Sequence, residues 1–113
     1  MALFLNGKKL SSEPHNYSTN EQIVGTWIDG STIYEKTFDL ENDVVINYNA
    51  WTDMNISATG YNKYIGCFTI NESGTYYPLM VSTQNSKIYC LACRSGSNVG
   101  GRYLTIQYTK SST

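Results

Sequence analysis

The residues of this chain that are able to do chemistry are few and scattered. The single histidine, His15, stands in a stretch of turn residues, Ser11-Ser12-Glu13-Pro14-His15-Asn16. Nucleophilic catalysis needs a nucleophile, a base and an orienting group held together, and no spacing joins His15 to such a set. The carboxylates Asp29, Asp39, Glu41, Asp43, Asp53 and Glu72 fall mostly in turn-like segments, where aspartate bonds nearby backbone. A glycosidase pair would have two of them flanking a sugar, but nothing in the spacing selects a pair. The Asp39–Asp43 run lacks the alternating oxygen ligands of a calcium loop and reads as a solvated loop. Cys90-Leu91-Ala92-Cys93 has the C-x-x-C spacing of redox and zinc sites. It lies in Lys87–Arg94, which reads as a strand, and side chains three apart on a strand leave opposite faces. With Cys67 the only other cysteine, the three are expected to be small, buried, reduced hydrophobes. These readings predict no enzyme, no resident metal and no cofactor.

The aromatic residues say more. Tyr48, Trp51, Tyr61 and Tyr64 lie near one another in sequence, interleaved with Asn49, Asp53, Asn55 and Asn62. A flat apolar ring with a polar tip, set beside amides and a carboxylate, is the make-up of a sugar site. The candidate ligand-binding set is therefore Tyr48, Trp51, Asp53, Asn55, Tyr61 and Tyr64. The competing use of the same rings is to fill the core. Tyr76 and Tyr77 adjoin in a strand-like run, so at most one of them points inward. The run 95–101 reads as a flexible loop, either a recognition loop or a plain connection.

Composition limits the elements that can position these residues. The chain has 113 residues and a mass of 12.7 kDa, the size of one domain. Charged residues make up 15%, against roughly 25% in ordinary soluble domains. Their place is taken by 12 serines, 12 threonines and 11 asparagines, and 10 tyrosines stand against 4 alanines. That bias favours strands over helices. A net charge of −1 leaves no basic excess to neutralise a phosphate backbone, so no nucleic-acid partner is expected. No apolar run approaches the roughly 20 residues of a membrane span. Lys8-Lys9 follow the apolar start, the reverse of a signal peptide, and no membrane partner is expected.

Eight strand-like runs recur from Gln22 onward: Gln22–Trp27, Thr32–Phe38, Val44–Tyr48, Asn55–Tyr61, Lys63–Asn71, Thr75–Ser82, Lys87–Arg94 and Arg102–Lys110. Asp29-Gly30 marks a hairpin between the first two, and Glu72-Ser73-Gly74 marks another. Asn49–Asn55 reads as a loop or helical turn, and Pro78 places its strand at an edge or a bulge. The predicted fold is all-β, an antiparallel sandwich or jelly roll of about eight short strands with no long helix. Residues 1–20 read as an arm or linker and 21–113 as a single β domain.

The stretch Glu21 to Phe38, Glu-x-x-x-Gly-x-Trp-Ile-Asp-Gly-x-x-Ile-Tyr-x-Lys-Thr-Phe, resembles the opening of a module near the C-termini of structural proteins of tailed bacteriophages of Gram-positive hosts. The end, Tyr103–Thr113, is similar to the closing strand of the same modules, and the middle diverges. The resemblance implies a β-rich tip domain of a tail fibre, baseplate or head fibre protein, exposed on the virion and commonly trimeric, often attaching to host-surface polysaccharide or teichoic acid. It carries no catalytic motif. Trp27, Asp29, Gly30 and Tyr34 match its pattern and read as hairpin and core determinants. Residues 48–64 and the glycine-rich loop are where receptor specificity would sit. Two rival expectations stand beside attachment. One is a purely structural trimerisation or decoration module, and the other is a small cell-wall hydrolase.

Overall fold

The structure is a computed structural model that describes residues 4–5, 8–9, 16–94 and 96–111. The reading of residues 1–20 as an arm therefore falls largely outside the described residues, as does the turn stretch around His15. Within that segment β1 (Phe4–Leu5) and β2 (Lys8–Lys9) form a short antiparallel pair.

The remaining strands are β3 (Gln22–Thr26), β4 (Thr32–Ile46), β5 (Thr52–Ser57), β6 (Tyr61–Ile70), β7 (Tyr76–Gln84), β8 (Lys87–Ala92) and β9 (Val99–Lys110). They make one antiparallel sheet in the order β3-β4-β9-β6-β7-β8-β5. The fold is all-β, as the composition predicts. The sheet curls back on itself as a half-barrel, so its two flanks pack together in the manner of a sandwich. Among the described residues no helix is long and apolar enough to cross a membrane.

The core lies inside the curl. β9 supplies Leu104, Ile106 and Tyr108, each 0% exposed, and β4, β5, β7 and β8 add Ile46, Met54, Leu79, Ile88 and Cys90. Burying one such aliphatic side chain contributes about 1.5–3 kcal/mol. β9 is flanked by β4 and β6, and its outward residues Thr105 and Thr109 are buried as well. It is the spine of the molecule.

The turns follow local chemistry. The β3–β4 hairpin closes through Trp27 N to Ser31 O (2.8 Å) and Gly30 N to Trp27 O (2.9 Å), with Ser31 N donating to Asp29 Oδ1 at 2.9 Å. Gly30 has φ 89°, a conformation that glycine adopts without strain. Asn85 and Ser86 have φ of 51° and 60°, the paired left-handed residues of a tight β7–β8 hairpin.

Four expectations are corrected. Asp39–Asp43 is not a free loop: β4 runs through it, with the β9 register shifting between Asp39 and Val44. Glu41 sits there at φ 71°, its amide donating to Asp39 Oδ1 at 2.8 Å, and Arg102 of β9 pairs with Asp39 at 2.7 Å. Pro78 does not mark an edge, because β7 is internal. Pro78 ends the ladder to β6, and Leu79 opens the ladder to β8, so the missing N–H falls where one pairing hands over to the next. The run 95–101 is not wholly loop, since β9 begins at Val99, which is buried. β5 begins at Thr52, inside the segment read as a loop or turn.

Candidate functional site

The six sequence-derived candidates divide into two groups. Tyr48 and Trp51 lie in the connection from β4 to β5, each 38% exposed, and Tyr48 N donates to Asn98 Oδ1 at 3.1 Å. Asp53, on β5, accepts from Asn55 N at 2.8 Å and faces Lys87 Nζ at 3.6 Å. Asn55 stands at φ 58°. These two polar residues shape a strand irregularity. Tyr61 and Tyr64 are half-buried and pack against the core. Tyr61 stacks on Tyr108 at 4.0 Å between centroids, and Tyr64 meets Tyr61 edge-on at 6.0 Å. The Tyr64 hydroxyl bonds that of Thr83. Burial pushes both phenols above their usual pKa of 10. Among the described residues the two groups share no hydrogen bond or ring contact.

The cysteines separate as well. Cys90 is buried, Cys67 is partly so, and Cys93 is exposed, which corrects the expectation of three buried thiols. Cys90 points inward from β8, whereas Cys93 lies just past the end of that strand. The neighbouring Cys90 thiol, and then burial, push the Cys67 thiol well above its usual pKa. Among the described residues no three His, Cys, Asp or Glu side chains gather as metal ligands.

The structure brings a different set together, on the outward face of β4, β9, β6 and β7. One rung pairs Thr37 with Thr105 and Thr105 with Phe68, and the next carries Tyr103, Ile70 and Tyr76. The segment Tyr17-Ser18-Thr19 forms a wall beside them, tied to β4 by Thr37 N donating to Ser18 O at 2.8 Å. Between wall and sheet lies a trough of about 600 Å³ lined by these residues, within the roughly 300–1,000 Å³ of small-molecule sites. Phe68 meets Tyr76 at 5.0 Å with a 31° tilt and Tyr17 at 5.9 Å, edge-on. Tyr17 and Tyr76 are each 57% exposed and Tyr103 is 41% exposed. The Thr37 and Thr105 hydroxyls bond each other at 2.8 Å beneath the rings.

Among the described residues the lining holds rings, hydroxyls and the Ile70 side chain, with no carboxylate, imidazole, thiol or cation. The charges nearest along the strands are already engaged. Glu35, two residues from Thr37 and fully buried, accepts from Gln22 Nε2 (3.1 Å) and Gln107 Nε2 (2.9 Å). Arg102 bonds Asp39 at 2.7 Å and Glu72 at 3.3 Å, and its guanidinium lies 5.0 Å from the centre of the Tyr103 ring. The Arg102 guanidinium, followed by the Glu41 amide, holds the Asp39 carboxyl below its usual pKa.

Sequence reasoning missed this set because its members come from five separate segments. The available signal is the alternation of Tyr103, Thr105 and Gln107 along the last strand, and of Phe68 and Ile70 along β6, which marks a second semi-apolar face. No family model, curated protein or solved structure matches the chain.

Proposed function

We propose that this domain is a non-enzymatic attachment module of a bacteriophage virion protein that holds a host-surface glycan in the trough between Tyr17 and the outer face of the sheet. The observation that carries this reading is the trough itself: partly exposed tyrosines and Phe68 around a concave surface, with hydroxyls beneath them and on the wall. Rings of this kind stack on the apolar faces of sugars while hydroxyls accept and donate around the edge. The resemblance of Glu21–Phe38 to phage structural modules supports a place on a virion fibre. That place would have the module act as a homotrimer made in the host cytoplasm. The test is binding of the chain to host cells and to purified wall polysaccharide. Tyr76→Ala and Tyr103→Ala are expected to weaken binding roughly ten-fold each, the order of one lost aromatic contact, with melting temperature little changed. Trp51→Ala, outside the trough, is expected to leave binding intact. Binding that survives both tyrosine variants overturns the reading, as does release of reducing sugar from wall material.

A second reading, a trimerisation module without receptor contact, is favoured by one observation. Ile23 of β3 and Ile28 of its hairpin are 69% and 93% exposed, on the strand at one end of the sheet. In that case the chain assembles but binds no glycan.

A further inference from the structure

We infer that Gln22 is a positioning residue of the trough: its carboxamide ties the Tyr17 wall to the buried carboxylate of Glu35, and that tie sets where the Tyr17 ring stands. The inference rests on the attachment reading above for its effect on binding, and adds what holds that site in shape.

Gln22 opens β3, directly opposite Glu35 of β4. A carboxamide nitrogen carries two N–H groups, and Gln22 Nε2 donates to Asn16 O at 2.5 Å and to Glu35 Oε1 at 3.1 Å. The other oxygen of Glu35 accepts from Gln107 Nε2 of β9 at 2.9 Å. Glu35 is fully buried, and hydrogen bonds to a charged acceptor are roughly twice as strong as those between neutral groups. A carboxylate enclosed in this way is a firm anchor, because an acceptor left unpaired out of water is costly. The side chains of Gln107, Glu35 and Gln22 thus lead from β9 across β4 and β3 to the wall.

Gln22 reaches back six residues to Asn16 and so closes the segment between them into a loop. Within it, Ser18 O accepts from Thr37 N at 2.8 Å, and Ser18 Oγ accepts from Asn20 N at 3.0 Å. Tyr17 lies between the bonded Asn16 and the bonded Ser18. Its ring is 57% exposed and meets Phe68 edge-on at 5.9 Å. A ring so exposed takes its direction largely from the backbone that carries it, and Gln22 and Thr37 hold that backbone on either side. Thr37 does so through its main-chain N–H, which all residues but proline retain. Gln22 does so through its side chain, so position 22 is where sequence decides how the wall stands.

The experiment pairs the nuclear Overhauser contact between the Tyr17 and Phe68 rings, observed in the free chain, with affinity for wall polysaccharide purified from Gram-positive cells. Gln22→Ala removes both donors, and Gln22→Glu keeps the size of the side chain while replacing its donors with acceptors. Both variants are expected to lose the ring contact while the β4–β9 amides stay protected from exchange. Gln22→Ala and Tyr17→Ala are each expected to weaken binding roughly ten-fold. Added to Tyr17→Ala, Gln22→Ala is expected to weaken it no further, because it acts through that ring. A side chain that served stability alone would leave the affinity of the folded chain unchanged. A ring contact that persists in either Gln22 variant overturns the inference and leaves attachment standing. So do losses from Gln22→Ala and Tyr17→Ala that multiply in the double variant. If the parent chain binds no polysaccharide, attachment falls, and loss or persistence of the ring contact alone decides whether Gln22 sets the wall.

Discussion

Gly101 of β9 lies tight against Thr69 of β6. A Cβ at this position would sit 2.2 Å from Thr69 Oγ1 and 3.0 Å from Thr69 Cβ and Cγ2. Thr69 is fully buried, and its hydroxyl donates to Tyr103 O at 2.8 Å, so it has no free volume to move into. Gly101→Ala is therefore expected to cost about 1–3 kcal/mol as overpacking, read as a lowered urea midpoint with unchanged slope. Thr69→Ala removes two of the three clashing atoms. Added to Gly101→Ala, it is expected to recover part of that loss, a non-additivity that marks direct contact. Strictly additive effects would mean that the strain lies elsewhere. The stake is functional as well as structural, because Thr69 fixes the backbone of Tyr103 and Tyr103 lines the trough.

At the scale of elements, the β3–β4 hairpin shows how a short motif both folds and titrates. Ser31, by its hydroxyl first and its amide next, and then Lys63 hold the Asp29 carboxyl down from 3.8 to about 2, with Lys63 Nζ 3.0 Å from Oδ2. A depressed folded pKa means that the stabilisation is complete above 3.8 and is lost as pH falls through about 2. Asp29→Asn should flatten that part of the acid limb of a melting-temperature profile taken from pH 6 to pH 2. An unchanged profile would show that the carboxylate is not coupled to folding. This hairpin was legible in the sequence because Asp29-Gly30 carries its own turn chemistry, and the β6–β7 turn was legible for the same reason. What could not be read was set by neighbours distant in the chain. The acidic run after Asp39 extends as strand because Arg102 neutralises it from β9. Pro78 is internal because β7 changes partners there. Gly100 and Gly101 suggested a flexible loop, yet they are strand positions that admit close packing. The candidate site suffered most from this. Tyr48 and Tyr64 are near in sequence but serve different regions. Tyr17 and Tyr103 stand 86 positions apart and share one trough, a proximity that only strand order creates.

For the whole molecule, the question is how a sheet with an open end behaves at high local concentration. β3 is five residues long and, among the described residues, pairs with β4 alone, leaving its other edge able to accept a strand. Ile23 and Ile28 make that end apolar, and a net charge of −1 opposes association only weakly. The chain is therefore expected to form a small oligomer, a trimer by the resemblance of Glu21–Phe38, whose mass by light scattering falls to that of the monomer in Ile23→Lys/Ile28→Lys. Neither isoleucine lines the trough, so a monovalent oligosaccharide should bind the monomeric variant as well as it binds the parent. A multivalent surface should not. Linked sites that engage together exceed one site's affinity by roughly 10²–10⁴-fold, and monomerisation forfeits that gain. Retention of whole cells should therefore collapse while the solution affinity for a single oligosaccharide stays put. If the parent chain is already monomeric, or if the variant loses monovalent binding too, the separation of assembly edge from binding face is wrong. Attachment would then have to be built into a single surface doing both.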